Sequence, residues 1–108
     1  MCRKITSAYT SANVDIPASN FHLKSGELKR IRTTHKDDGF EFSILFCPEC
    51  GSSIYAEPHI EGWKDAIIIQ AGTFDDVIVE QRPAVELNTK HRMPWITKVE
   101  GAEQKDGY

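Results

Sequence analysis

Two cysteines in the middle of the chain have the spacing of a metal-binding turn. They lie in Cys47-Pro48-Glu49-Cys50-Gly51, and two thiols three positions apart on a tight turn can face one tetrahedral metal ion. Pro48 restricts the backbone of this turn, and Gly51 allows the chain to curl beneath the metal. The motif therefore predicts a zinc knuckle. A redox dithiol and a turn that has kept its thiols but lost its metal are the alternatives.

The number of cysteines does not show which residues would complete the zinc site. A closed structural zinc site has four ligands, and the chain has three cysteines, of which Cys2 is the one outside the knuckle. The histidines lack knuckle spacing but could also coordinate; they are His22, His35, His59 and His91. Three outcomes follow. The knuckles of two chains share one site in a homodimer, Cys2 or a histidine completes the site within one chain, or no zinc binds.

A strand leads directly into the knuckle. Between residues 40 and 46 apolar side chains alternate with other residues, a period of two that indicates a strand with one strongly buried face. The apolar positions of this alternation are Phe40, Phe42, Ile44 and Phe46.

Strand signals dominate the rest of the chain, and no long helix is predicted. The stretch 65–72 is the most apolar and is predicted to be a central strand. Further strands are predicted over 8–14, 21–24, 28–33, 52–56 and 84–89. Turns are predicted at 18–21, 25–26, 37–39 and 73–76, the last with Thr73 as its cap, and a loosely held tail is predicted over 101–108. The fold class is therefore mainly β.

Length, charge and hydrophobic patterning argue against several classes of protein. A chain of 108 residues is expected to form a single domain over 1–108. The net charge of −3 without a basic stripe argues against a nucleic-acid partner. The apolar run Ala66–Ile69 is too short to span a membrane, and the polar residues after Met1 do not form a signal peptide. An odd number of cysteines indicates a reduced, cytoplasmic compartment.

Five segments in order and spacing resemble the glutathione-dependent formaldehyde-activating enzyme family. They are Cys2-Arg3-Lys4, residues 21–28, residues 46–52, residues 71–76 and Arg92-Met93-Pro94-Trp95. The resemblance implies a small β-tent-like fold of antiparallel sheets with zinc. It also implies a carbon–sulfur lyase acting on a small-molecule thiol adduct, with glutathione as co-substrate and zinc stabilising a thiolate.

The resemblance also assigns metal ligands. Members of the family carry a preceding segment whose Cys-x-Cys pair completes the structural zinc, so Cys47 and Cys50 correspond to half of that site. The same segment carries a Cys-His-Cys-x-x-Cys-Arg motif around a second, catalytic zinc, and Cys2-Arg3 matches its end. Glu86 stands where many members have a histidine.

Other residue types suggest a substrate pocket. Arg92 could hold a substrate carboxylate and Trp95 could form an apolar wall, although a surface ion pair and a core anchor are the ordinary roles of such residues. Cys2 is a candidate nucleophile or metal-bound thiolate. Glu86 or His91 is a candidate acid or base.

Three functions remain open from the sequence. The first is the zinc-dependent lyase. The second is a zinc-poor relative that carries out acid/base dehydration or isomerisation, and the third is a non-catalytic binding or chaperone module. A concave pocket with converging polar groups favours an enzyme, whereas a flat apolar patch near the knuckle favours the binding module.

Overall fold

The computed structural model describes residues 2–75 and 81–108. The chain divides into two compact units, Met1–Thr73 and Phe74–Tyr108. A five-stranded antiparallel sheet fills the first unit, which confirms the mainly β prediction. The prediction of a single domain over residues 1–108 stays a prediction. Within the described ranges no helix has the length and apolar character needed to cross a membrane.

The sheet of the first unit has the strand order β1-β5-β4-β3-β2, and all its neighbouring strands are antiparallel. A short helix precedes it, α1 over Cys2–Thr6. The strands are β1 Asn13–Pro17, β2 Lys29–Thr34, β3 Glu41–Phe46, β4 Ser53–Pro58 and β5 Ala66–Gln70. Single 3₁₀ turns cover Ala18–Asn20 and Ala71–Thr73. The apolar strand β5 is flanked on both sides, as its sequence predicts, although β4 is the middle strand.

Two tight connections fix the register around β3. The β2–β3 hairpin closes through His35, whose N–H donates to the Phe40 carbonyl at 2.8 Å, and Gly39 adopts a φ of +76° that favours glycine. The β3–β4 connection is the cysteine turn, so the knuckle lies between two neighbouring interior strands. The pairing register shifts between Leu45 and Phe46 just before the turn, as at a β-bulge.

The core lies on one face of the sheet. Leu45 pairs with Tyr55, and Tyr55 with Ile69, and these side chains form a buried cluster with Ile67. The predicted single buried face of β3 is wrong, because Leu45 and the fully buried Ser43 point to the opposite face from Phe42. Both faces of β3 are therefore covered.

His35 explains why the second face of β3 is covered. Its ring stacks on Phe40 with centroids 5.0 Å apart and an interplanar angle of 9°, and it also contacts Phe42. The imidazole thus shields apolar rings that would otherwise face water. On the core side, the buried Ser43 hydroxyl is paired with His59 Nε2 at 2.8 Å.

Several predicted strands are shorter than expected or absent. Residues 21–24 form no strand, because Phe21 packs its ring on Tyr55, with centroids 4.8 Å apart, instead of pairing with β2. The strand predicted over 8–14 begins only at Asn13. The Thr73 hydroxyl donates back to the Gln70 carbonyl at 2.8 Å, and its predicted role as the cap of the turn 73–76 stays a prediction. Asp76, the end of that predicted turn, lies outside the described residues.

In its described residues the second unit contains two short parallel strands, β6 over Val85–Glu86 and β7 over Glu103–Gln104. The strand predicted over 84–89 stops early because Asn88 is left-handed, with a φ of +55°, and leads into a 3₁₀ turn over Thr89–His91. The predicted loose tail is wrong. The Lys105 N–H donates to the Glu86 carbonyl at 2.9 Å, and Asn88 donates to the Gly107 carbonyl at 3.1 Å.

Candidate functional site

The cysteine turn has the backbone of a closed knuckle. The Gly51 N–H donates to the Cys47 carbonyl, and the Cys47 N–H donates to the Ser52 carbonyl, both at 2.9 Å. Gly51 has a φ of +77°, so a side chain at this position would strain the backbone. These bonds close the turn at the residue where β3 ends, and the predicted knuckle is confirmed as a fold element.

Ser52 makes the Cys50 thiol more acidic than an ordinary cysteine. The Cys50 sulfur lies 3.1 Å from the Ser52 hydroxyl. That hydrogen bond, together with others from the Ser52 backbone and from Cys47, lowers the pKa of the exposed Cys50 thiol below its ordinary value. The anion is the form of a thiol that binds metals and attacks electrophiles. The turn therefore favours the reactive form of Cys50.

The knuckle offers two ligands to a zinc ion. Two thiols on one closed turn, one with a lowered pKa, are the donor chemistry that zinc prefers. Across residues 2–75 and 81–108, no group of three or more His, Cys, Asp or Glu side chains is placed to hold one ion. Cys2 lies in α1 and is half-buried. The described residues of one chain thus fit zinc as half of a tetrahedral set, and Cys2 as a third ligand stays a prediction.

An open cleft of about 450 Å³ lies between α1 and the residues that follow the knuckle. One side consists of the end of α1 and the segment leading to β1, and the other consists of the start of β4 and the end of β5. Among the residues lining it are Thr6, Ser7, Ser11, Ser53, Gln70 and Thr73. The cleft therefore adjoins both the helix that carries Cys2 and the turn that carries Cys50.

A second hollow, of about 510 Å³, lies away from the thiols. It is bordered by β1 and by the loop before β5, with Asp15, Lys64 and Asp65 among its lining residues. Partial burial raises the pKa of the Asp15 carboxyl. This hollow is slightly larger than the cleft beside the knuckle, but it borders neither α1 nor the cysteine turn, and we place the candidate site at the knuckle.

Glu86 and Arg92, predicted as catalytic and substrate-binding residues, are bonded to each other. Arg92 Nη2 donates to Glu86 Oε2 at 3.0 Å, and the same oxygen accepts from Gln104 Nε2 at 2.7 Å and from the Val99 N–H at 2.9 Å. Arg92 also donates to the Gln104 side-chain oxygen. The pKa of Glu86 is held below its ordinary value. The hydrogen bond from Gln104 contributes most, followed by the hydrogen bond from Val99 and the charge of Arg92. Their roles in catalysis stay predictions, and the geometry shows a structural network.

His91 and Trp95 lie in the same unit as that network. His91 is exposed at the end of the 3₁₀ turn, where its N–H donates to the Asn88 carbonyl at 2.9 Å. The Trp95 side chain is 67% exposed, so it is not a core anchor. The proposed acid/base role of His91 and substrate role of Trp95 stay predictions.

Sequence reasoning missed the serines that follow the knuckle. Ser52 bonds the Cys50 sulfur, and Ser53 lines the cleft. Their position in the sequence could have identified them, because the residues just after the second cysteine of a closed turn return toward the sulfur of that cysteine. Gln104 was missed as a partner of Glu86 because it lies in the tail expected to be loose, and Val99 was missed because it binds through its backbone N–H, which carries no sequence signal.

The fold and the knuckle together define a small β protein built around a cysteine turn. The sequence matches the family of glutathione-dependent formaldehyde-activating enzymes over residues 1–91, and the chain belongs to that family. A comparison with curated proteins found no match.

Proposed function

We propose that this chain is an enzyme that breaks or forms a carbon–sulfur bond in a small-molecule thiol adduct, with glutathione as the thiol. Family membership supports a glutathione-related substrate. The observation that carries the proposal is the cleft itself, because it brings the helix bearing Cys2 next to the end of the knuckle. Its volume of about 450 Å³ lies in the range of small-molecule sites.

The reaction can be balanced without a redox partner. In the adduct of a thiol and formaldehyde, the hydroxyl loses its proton as the carbon–oxygen double bond forms. The carbon–sulfur bond breaks, its electron pair moves to sulfur, and the sulfur takes up the proton. A catalyst for this step must stabilise sulfur as a thiolate and hold the hydroxyl in place.

The residues of this chain divide these tasks in our proposal. Cys47 and Cys50 would hold a structural zinc, and Cys2 would act at the substrate, alone or as a metal-bound thiolate. A zinc ion, when bound at a catalytic position, supplies a Lewis acid that favours the thiolate form of sulfur. The cleft orients the adduct, and the proposed location of the enzyme is the cytoplasm.

Cysteine variants separate the two tasks. We expect Cys2→Ser to lower the enzyme-catalysed exchange between glutathione, formaldehyde and their adduct at least about 100-fold, the size of effect expected for loss of an acting nucleophile or ligand. The melting temperature should stay within about 2 °C, because α1 contributes no buried side chain. Exchange NMR measures the rate and circular dichroism the melting.

The matched variant is Cys47→Ser, which should lower the melting temperature because it removes a ligand of the proposed zinc from the turn between two interior strands. Ser25→Ala, in an exposed turn, should change neither quantity. Exchange no faster than the uncatalysed reaction in the unaltered protein would rule out the proposed lyase. Equal activity in Cys2→Ser would remove Cys2 from the site.

A further inference from the structure

The two sulfurs of the knuckle have different surroundings. Cys47 is half-buried, whereas Cys50 is exposed. The Ser52 hydroxyl oxygen lies 3.1 Å from the Cys50 sulfur, and the Ser52 backbone N–H donates to the same sulfur. Ser52 therefore contacts the more exposed of the two thiols with both its backbone and its side chain.

The hydroxyl contact is separate from the bonds that close the turn. The Ser52 carbonyl accepts from the Cys47 N–H at 2.9 Å, and the Gly51 N–H donates to the Cys47 carbonyl at the same distance. Both are backbone bonds, which any residue at position 52 could make. The Ser52 side chain is exposed, and the structure shows the Cys50 sulfur as the partner of its hydroxyl. The turn therefore does not need this hydroxyl in order to close.

The chemistry of a metal-bound thiol decides which atom donates in this contact. A cysteine binds zinc as the thiolate, which has no proton to give, so the hydroxyl must be the donor when the metal is bound. A hydrogen bond of this kind fixes the direction of the ligand atom and offsets part of its charge. Groups that contact a metal ligand in this way typically change the metal affinity 10-fold to 100-fold.

We propose that Ser52 is a positioning residue for zinc: its hydroxyl donates to the Cys50 sulfur, fixes the orientation of this exposed ligand and slows the release of the ion. The inference rests on the structural zinc at Cys47 and Cys50 that forms part of the proposed function. It is independent of Cys2 and of the lyase reaction.

Two substitutions at one position separate the hydroxyl from the backbone. Ser52→Ala removes the hydroxyl and keeps the backbone bonds, and Ser52→Thr keeps a hydroxyl. We expect Ser52→Ala to lower the zinc affinity between about 10-fold and 100-fold, with faster release, whereas Ser52→Thr should keep most of the affinity. A site shared by two chains would lose two hydroxyls and should lie near the upper end. Competition with a chelator of known affinity measures both the affinity and the release.

A spectrum distinguishes positioning of the sulfur from support of the fold. In the cobalt-substituted protein, loss of a hydrogen bond to the thiolate should move the sulfur-to-metal charge-transfer band to longer wavelength in Ser52→Ala, and Ser52→Thr should restore it. The melting temperature of the metal-free Ser52→Ala protein should stay within about 2 °C, because the lost hydroxyl is exposed. Ser25→Ala, in another exposed turn, should change none of these quantities.

Each result decides the inference. An unchanged zinc affinity in Ser52→Ala overturns it, and so does an equal loss in Ser52→Thr. A clear fall in the melting temperature of metal-free Ser52→Ala also overturns it, because Ser52 would then be a structural residue.

The same measurements separate this inference from the proposed function. An unaltered protein that binds no zinc would remove both the role of Ser52 and the structural zinc. A weaker zinc affinity in Ser52→Ala, in a protein without lyase activity, would leave the inference standing and remove the lyase. Lyase activity together with an unchanged zinc affinity in Ser52→Ala would do the reverse.

Discussion

The carboxylate of Glu86 accepts hydrogen bonds from three separate places in the chain, at Arg92, Val99 and Gln104. A group used in this way favours its ionised form and is poorly suited to donate a proton. Arg92 is likewise directed at Glu86 and Gln104. At the scale of single residues, a residue predicted to act as acid or base and one predicted to bind substrate therefore form a structural network.

The lowered pKa of Glu86 makes a prediction about pH. A carboxyl whose pKa is lower in the folded than in the unfolded protein contributes stability above the unfolded pKa, about 4.3 for glutamate. That contribution is lost as the pH falls through the folded pKa. Glu86→Gln should therefore lower the free energy of unfolding by about 1 kcal/mol at neutral pH, with the difference shrinking in acid. Urea unfolding of the two proteins at neutral pH and in acid measures this difference in the free energy of unfolding.

The exposed Glu100 supplies the control, because Glu100→Gln should show little effect at either pH. If Glu86→Gln lowered the free energy of unfolding equally at neutral and acid pH, the stabilising role of the ionised Glu86 carboxylate would be contradicted. The catalytic prediction is tested on the same proteins. It requires turnover to disappear in Glu86→Gln and Arg92→Ala while both variants stay folded, and unchanged turnover in both would remove it.

At the scale of elements, local patterns predicted where the chain turns better than which side chains are buried. The knuckle, the hairpin before β3 and the 3₁₀ turn after Pro17 depend on glycine, proline and short-range bonds. The buried face of β3 depends instead on the register of β4, where Tyr55 meets Leu45. Alternation alone cannot reveal that His35 would shield the phenylalanines on the other face.

The same limit applied to the candidate site. Cys47 and Cys50 were found because their chemistry resides in their own spacing. The cleft required α1 and the ends of β4 and β5 to meet, and residues 5–12 and 70–73 are far apart in sequence. No local pattern relates them, so Ser53 carried no signal before the fold was known.

The register of β3 makes a stability prediction. Leu45 is buried in the main core and Ile44 is half-buried on the other face. We expect Leu45→Ala to lower the free energy of unfolding by about 2–5 kcal/mol and Ile44→Ala to cost about half as much. Chemical denaturation of the two variants checks this. A larger cost for Ile44→Ala would support the buried face expected from the alternation of residues 40–46 and contradict the structure.

At the scale of the whole molecule, the proposed zinc makes a prediction about how many chains share one ion. One knuckle supplies two thiols of a four-ligand set, and the described part of a single chain brings no third acidic, cysteine or histidine ligand to them. Within the part of the chain that the structure describes, the edge strands β1 and β2 each have one neighbour in the sheet, and a sheet edge of this kind favours pairing with another strand. Both features support a homodimer, which we propose together with a shared zinc.

Metal content and mass test this proposal together. We expect purified, reduced protein to contain one zinc per two chains and to have the mass of a dimer. Cys50→Ser should lose the zinc and shift toward the monomer, whereas Ser25→Ala should do neither. Elemental analysis and light scattering give the two numbers. A folded monomer without zinc, or one zinc in each monomer, would contradict the shared site.

The network around Glu86 also determines where the chain can be truncated without loss of structure. The family match ends at residue 91, yet two of the three donors to the Glu86 carboxylate come from residues 99 and 104. The partner strand of β6 lies at Glu103–Gln104 as well. A boundary drawn from sequence similarity would therefore pass through a hydrogen-bonded unit, and the last ten residues belong to any version of this protein intended to keep its fold.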